Sequence, residues 1–518
     1  MASTFFGLDI AYSGLQAANT SLNVTGHNVS NIDTEGYSRE SAVRTATTPI
    51  RTHNSYGTLG AGVTVTEITQ TRDTYYDAKY RNNQAFLGEY DAKNNYTSQV
   101  EDYLNEFLLS GFTKEYSNFN AAVNQLTITP GDQSSKNQLI NNAASLADYF
   151  NTLSTNLRNV QTDANNEVKD AVEKVNSLAK NIMQLNRQIN QIEANYGNAN
   201  DLRDKRNSMV DSLSKIVNVS TSEVSIGNGL YDFSVRINGQ TLVDGYQYNQ
   251  LETVTRTEKR NASDAAGLYD IRWTTGQTFD IYSDDLGGQL RGLIDIRDGS
   301  NNEIESIALD ADGNNVTDSE GNLLYTSTDV PKDNSSFKGV PFYLSQLNQF
   351  ISTFADEVNK IMRTGYSSDG KYEGIPMFVT RGQNIMNAST VTVNPDLLED
   401  ANKLAIKTEL NTGEADAKVM EALAQLAKSN KFDGGNPSFY LETIVSDESI
   451  DAQKANNLYK NYNNLKTTIQ NQRLSIMGVD SDEEAMAMIQ YQRTYNLNAK
   501  MMSVMQQIYD KLINQTGV

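Results

Sequence analysis

Residues 8–32 read LDIAYSGLQAANTSLNVTGHNVSNI, and the spacing of this stretch decides the fold. Leu8, Leu15, Leu22 and Val29 recur every seven residues, and Ala11, Ala18, Thr25 and Ile32 recur three places after them. Near the other end Met488, Tyr495, Met502 and Tyr509 repeat the pattern, with Tyr491, Met505 and Leu512 in the offset row. A 3-then-4 spacing marks helices that pack along a shared seam. Its presence in both end segments predicts that the two helices meet and form a coiled coil. Chain ends are ordinarily the least ordered part of a protein, so paired ends imply a joint task.

Residues 1–32 carry one formal charge, Asp9. A helix bathed in water is normally studded with Lys and Glu. Here the outer positions are Ser13, Gln16, Asn19, Ser21 and Asn23. Neutral polar faces predict a helix surrounded by other protein. At the opposite end, Ser481 with Glu484 three places on reads as a capping box that opens the final helix, and the acidic cluster 482–484 complements the helix dipole.

Between these ends the period changes twice. Phe86, Tyr90, Thr97, Val100, Leu104 and Phe107 fall on one helical face. After a turn at Pro130-Gly-Asp132, a 3/4 row runs from Leu139 through Leu146, Phe150 and Leu157 to Val160. It resumes after a short break at Val168 and continues to Tyr196. From Val217 the period is two, with hairpin signals at Asn228-Gly229 and Asn238-Gly239. A strand is expected at Thr278–Tyr282 and a short helix at Gln289–Arg297. Helical spacing returns from Leu344 to Ile361, and again over 452–477 up to Gly478.

The expected fold is therefore α+β and multidomain. Residues 1–39 and 479–518 form a terminal helical assembly domain of paired helices. Residues 40–216 and 341–478 form a long helical bundle with a small β part. Residues 217–340 form an inserted, mostly β outer domain. At 518 residues the chain is long enough for two to four domains.

Composition narrows the function. With 64 acidic and 43 basic residues, the net charge of −21 disfavours nucleic acid and anionic lipid. No run of 18 apolar residues is present, so no membrane span is expected. Met1 to Leu15 lacks the basic and continuous apolar regions of a Sec-type signal peptide. There is no cysteine, and the two histidines, His27 and His53, have no obvious acidic partner in sequence. Both are read as polar surface or interface residues, and no zinc site is expected.

Asp310-Ala-Asp312-Gly-Asn314 resembles the start of a calcium loop, but Asn315 stands where the loop needs Gly, and Gly321 where it needs Glu. Turns of a β meander are the better reading, with Asp318-Ser-Glu320-Gly-Asn322 as the second. Carboxylate pairs such as Asp284-Asp285 are commonplace in so acidic a chain. No catalytic motif occurs, so neither an enzyme nor a cofactor is expected.

The segments Ser13-Gly-Leu-Gln-Ala-Ala-Asn19, Asn28-Val-Ser-Asn31 and Thr34-Glu-Gly36-Tyr37-Ser-Arg39 resemble the N-terminal signature of the bacterial flagellar axial proteins, the rod, hook and hook-associated proteins. Asp482-Glu-Glu484 followed by Tyr491-Gln-Arg493-Thr-Tyr495 resembles their C-terminal signature. Gly36-Tyr-Ser-Arg39, Asp201-Leu-Arg-Asp-Lys-Arg206 and Gly287-Gly-Gln-Leu-Arg-Gly292 resemble the hook-associated, junction-forming branch. One departure is His27, where the family commonly has Asn.

The resemblance implies a structural subunit that joins hook to filament as a junction ring. Other axial roles in the same family are hook, distal rod and filament protein; an intracellular coiled-coil scaffold is the reading from a different class. The implied partners are further copies of this chain in a helical ring, the hook protein, a second junction protein next to the filament, and an export chaperone gripping the C-terminal helix. The implied location is extracellular, reached by the flagellar secretion route. Asn28, Asn31, Gly36 and Tyr37 then join the two heptad rows as expected assembly-interface residues.

Overall fold

The computed structural model describes residues 6–51, 57–105, 111–195, 197–227, 229–307, 325–329, 335–382, 385–410, 413, 415–432 and 435–514. The candidate calcium loop from Asp310 to Gly321, the turn after it, Phe107, Asn228 and His53 lie outside the described residues. The helices are α1 (Phe6–Ser30), α2 (Thr74–Leu104), α3 (Thr113–Ile128), α4 (Gln133–Glu193), α5 (Asn200–Ile216) and α6 (Gly288–Asp298). They continue with α7 (Val340–Arg363), α8 (Pro395–Glu399), α9 (Lys418–Leu426), α10 (Pro437–Met477) and α11 (Ser481–Asn514).

The strands before α5 are β1 (Glu40–Ala46), β2 (Ile50–Arg51), β3 (Thr58–Leu59) and β4 (Val63–Gln70). After it come β5 (Val219–Gly227), β6 (Leu230–Ile237), β7 (Gln240–Asp244), β8 (Gln247–Tyr248), β9 (Leu251–Thr255) and β10 (Tyr269–Trp273). Short two-stranded pairings occupy the remaining strands.

The chain divides into two compact units. The first comprises residues 1–85, 175–250 and 462–518, and the second comprises residues 86–174 and 251–461. The segment 217–340, expected as one β body, is shared between them. Residues up to 250 belong to the first unit and those from 251 to the second.

In the first unit β1 pairs antiparallel with β4, from Glu40 opposite Gln70 to Ala46 opposite Val63. A second sheet runs β5-β6-β7-β8 as an antiparallel meander. Asn238 and Gly239 close its β6–β7 turn with positive φ of 48° and 72°, the backbone that an Asn-Gly hairpin turn requires.

In the second unit the core is aromatic. The Phe350 ring lies 5.6 Å from Phe150, 5.8 Å from Phe112, 6.0 Å from Phe354 and 5.5 Å from Phe432, centroid to centroid. Helix α6 approaches α2 at Gly292, where a Cβ would stand 2.4 Å from the Glu89 carbonyl oxygen. That close approach gives the Gly-rich 287–292 stretch its physical purpose.

Several expectations change. Helix α4 is one continuous helix of 61 residues with no break after Val160. Ala164, fully buried, carries the row on to Val168, and a small residue was misread as a gap. Helix α10 begins at Pro437, well before 452. Phe86 is exposed, and Leu87 and Tyr96 are buried in its place. Thr278–Tyr282 forms no strand beyond one isolated bridge from Thr278 to Arg272.

A buried acid in the second unit makes stability pH-dependent. Glu448 of α10 is 1% exposed, and neither carboxyl oxygen meets a hydrogen-bond partner among the described residues. Burial, then the charges of Glu101, Asp451 and Asp102, push its carboxyl up to about 9. The folded chain thus holds a proton that an unfolded glutamate releases near pH ~4.3. Its stabilising neutral form is complete below that value, and stability falls as pH rises from there through about 9. Glu448→Gln is expected to stabilise the protein at pH 8 by on the order of 2 kcal/mol and to flatten the profile between pH 5 and 9. Thermal melts across that range check this, and an unchanged slope would refute it.

Candidate assembly site

The two end helices do pack together, and the small residues set their distance. A Cβ on Gly7 would come within 3.0 Å of Met505 Cε, and one on Gly14 within 2.7 Å of Asn498 Oδ1. The buried arc of α1 passes through Ala11, Ala18, Ser21 and Thr25, on the same side as these glycines. Leu8, Leu15 and Leu22 sit at its margin, half-buried, while Val29 and Ile32 are exposed. Gly, Ala and Ser let two backbones approach closely, but they bury little apolar area per residue.

On α11, Tyr491, Tyr495, Met502, Met505 and Tyr509 are half-buried. Met488 and Leu512 are exposed, at 38% and 55%. A second stripe, Met486, Ile489, Leu497, Met501, Val504 and Ile508, is also exposed and lies on one helical face, broken by Arg493 between Ile489 and Leu497. Helix α11 is therefore apolar on the side that meets α1 and again on a side that is exposed among the described residues.

Two further devices fix the joint. The first is a latch. Arg39 places Nε 2.7 Å from Glu484 Oε1 and Nη1 2.7 Å from Glu483 Oε2, while its N–H donates to the Met477 carbonyl at 2.8 Å. The capping box expected at Ser481 is absent. Asp480 caps α11 instead, its Oδ1 accepting from the N–H groups of Asp482 and Glu483 at 2.9 and 3.1 Å. Glu484 is thereby free to turn to Arg39, and it is buried there. Arg44 adds a cationic contact to the Tyr491 ring, 4.9 Å from its centroid.

The second device is a cradle around the end of α1. The Asn28 side chain donates to the Glu40 carbonyl at 2.9 Å and accepts from the Glu40 N–H at 3.0 Å, as a strand neighbour would. The Tyr37 hydroxyl donates to Asn28 Oδ1 at 2.8 Å. Burial, then Glu40, Asp201 and Asp204, hold the Tyr37 phenol far above its ordinary value. Gly36 turns the chain with φ of +81°, packed toward Ser208. Asn31 bonds only locally, its amide donating to the His27 carbonyl at 3.0 Å.

Beneath the joint lies a buried charge network that the sequence did not reveal. Asp204 of α5 accepts from the Ser38 N–H and hydroxyl at 2.7 and 2.8 Å and pairs with Arg72 at 3.0 Å. Arg72 also pairs with Asp77 at 2.6 Å. Arg473 of α10 reaches Asp77 and Asp211, both at 2.7 Å, and Arg81 closes on Asp211 at 2.7 Å. Burial raises the Asp204 carboxyl despite Arg72 and Ser38. Burial also opposes Asp77, but Arg72 and Arg473 outweigh it and hold that carboxyl below the usual range.

Residues 8–37 match the family model described as flagella basal body rod protein, and 470–515 the one described as flagellar basal body rod FlgEFG protein C-terminal. Two matched end segments, paired at a latched joint, define an axial protein of the bacterial flagellum. Residues 97–378, more than half of the chain, match the flagellar hook-associated protein FlgK helical domain, and the chain belongs to that family.

The chain is 28% identical to flagellar hook-associated protein 1 of Bacillus subtilis, covering 100% of this chain and 99% of that one. It is 26% identical to the protein of that name in Salmonella typhimurium and 25% to that of Escherichia coli, each over 97% of this chain and 98% of the relative. The flagellar hook junction protein FlgK from Burkholderia pseudomallei shares the fold, with a TM-score of 0.58 and 14% identity. The match covers 77% of this chain and all of that one.

Proposed function

We infer that this chain is a structural axial subunit of the flagellum that joins hook to filament. The observation that carries the reading is the joint itself: two end helices seated on each other, with the outer apolar stripe of α11 left bare. An exposed apolar stripe of this kind marks an interaction surface. Neighbouring copies of the chain cover it through head-to-tail contacts in a helical ring. The hook protein and a second junction protein next to the filament bind the two sides of that ring.

Before assembly, an export chaperone takes the same stripe in a helix-in-groove mode. Delivery is by the flagellar secretion route, which passes unfolded chains, and a chain without cysteine meets no disulfide obstacle there. The work is structural, with no catalytic step.

Antibody labelling of intact flagella against the β5–β8 sheet is the test. A narrow band at the boundary of hook and filament is expected. Label spread along the hook or along the filament would place the chain in another axial role.

A further inference from the structure

His27 stands in a setting that its sequence neighbours do not suggest. Its Nδ1 is 3.5 Å from Glu40 Oε2, and its Nε2 is 3.9 Å from Asp201 Oδ2. The three side chains come from α1, β1 and α5, and each offers one donor atom such that all lie within 4.8 Å of one another.

The surrounding hydrogen bonds fix which ring nitrogen is bare. The Glu40 backbone N–H can only donate, so the Asn28 atom it meets at 3.0 Å is the amide oxygen. The Tyr37 hydroxyl, 2.8 Å from that oxygen, must spend its single proton there. Toward His27 Nδ1, 3.2 Å away, the phenol oxygen can only accept. In the neutral ring Nδ1 is therefore the nitrogen that carries the proton, and the Glu40 carboxylate lies 3.5 Å from it. Nε2 is left with its lone pair facing Asp201, 3.9 Å away, too far for a hydrogen bond.

A histidine with one nitrogen held by a hydrogen bond, here to the Tyr37 hydroxyl with the Glu40 carboxylate 3.5 Å away, and the other bare beside a second carboxylate, has the ring orientation fixed as in metal-ligating imidazoles. Bonds of about 2.0–2.2 Å to zinc put neighbouring ligands roughly 3.3 Å apart, a small rotation of the exposed Asp201 from the distance seen. We propose that His27 Nε2 and the Asp201 carboxylate bind a divalent transition-metal ion of the zinc class, with Glu40 as the positioning residue and solvent completing the shell. The mixed nitrogen–oxygen donor set favours zinc, nickel or cobalt over magnesium or calcium. The ion would staple the end of α1 to α5 and stiffen the joint from below.

Calorimetric titration of the untagged full chain with zinc and then nickel chloride tests this. One binding event per chain is expected, with none for magnesium. His27→Gln should abolish it, Glu40→Gln weaken it about tenfold, and His53→Gln leave it unchanged. Zinc should also slow amide exchange over residues 24–31 in the parent chain and not in Asp201→Asn. Absence of heat, or equal binding by His27→Gln with its melting temperature intact, would overturn the proposal.

Discussion

Arg473→Ala is expected to destabilise the first unit by about 3–5 kcal/mol, the cost of stripping one partner from a buried ion cluster. The cluster holds three arginines and three aspartates, Arg72, Arg81 and Arg473 against Asp77, Asp204 and Asp211. Removing Arg473 leaves a surplus buried negative charge, and Asp77 and Asp211 keep only one arginine each. Because Asp77 titrates below its unfolded value, its contribution is present above about pH 4 and is lost as acid carries the pH down through the folded pKa. The variant should lose part of that acid-sensitive contribution, Arg72 remaining on Asp77, and melt with a weaker pH dependence below about pH 4.

The guanidinium also lies over the Tyr80 ring, 4.8 Å from its centroid, so lost packing competes as an explanation. Arg473→Met separates the two, since it keeps an apolar stem on Tyr80 without the charge. Exchange rates over residues 200–216, with calorimetry, measure both variants. Full recovery in Arg473→Met would assign the loss to packing, and an unaltered Arg473→Ala would remove the cluster from the account.

That cluster shows where reading the sequence stops. The paired ends were legible because a heptad repeats four times in each, and periodicity survives without knowledge of partners. The Ala11, Ala18 and Thr25 row was assigned to the seam and is buried. Its companion row in the heptad was Leu8, Leu15 and Leu22. In the folded chain Gly7, Gly14 and Ser21 take the centre, because close backbone approach outranks side-chain size when the facing helix brings Met505 and Asn498.

A heptad drawn from one stripe does not say which flank turns inward. The latch was half legible: the acidic cluster 482–484 was visible, but Asp480 supplies the cap and releases Glu484 for an arginine more than 400 positions away. Arg72, Asp204 and Arg473 are likewise brought together only by tertiary folding. Charges at such separations carry no local signal. His27 was read as lacking an acidic partner for the same reason, since Asp201 arrives from α5.

Deleting residues 485–518 is expected to abolish incorporation into flagella and binding to the export chaperone, while leaving the second unit folded. The deletion spares Glu483 and Glu484 but removes Met505, Asn498 and the rest of the α11 surface against which α1 packs. Helix α1 is then left with a Gly/Ala/Ser arc that buries too little area to hold it against water, and helices in proteins draw most of their stability from tertiary packing. Amide exchange over residues 6–25 should rise toward the unprotected rate, with residues 139–160 unchanged.

Assembly depends on many copies at once, so losing the joint is expected to act as an all-or-none defect, read as non-motile cells in a complementation assay. Leu497→Glu combined with Val504→Glu separates joint from outer stripe, because both side chains are exposed. That double variant should keep protection in α1 and still fail to assemble. Normal swimming with the double variant would mean that the bare stripe of α11 is not the contact between copies. Normal swimming with the deletion would mean that the ends of this chain do not carry its function.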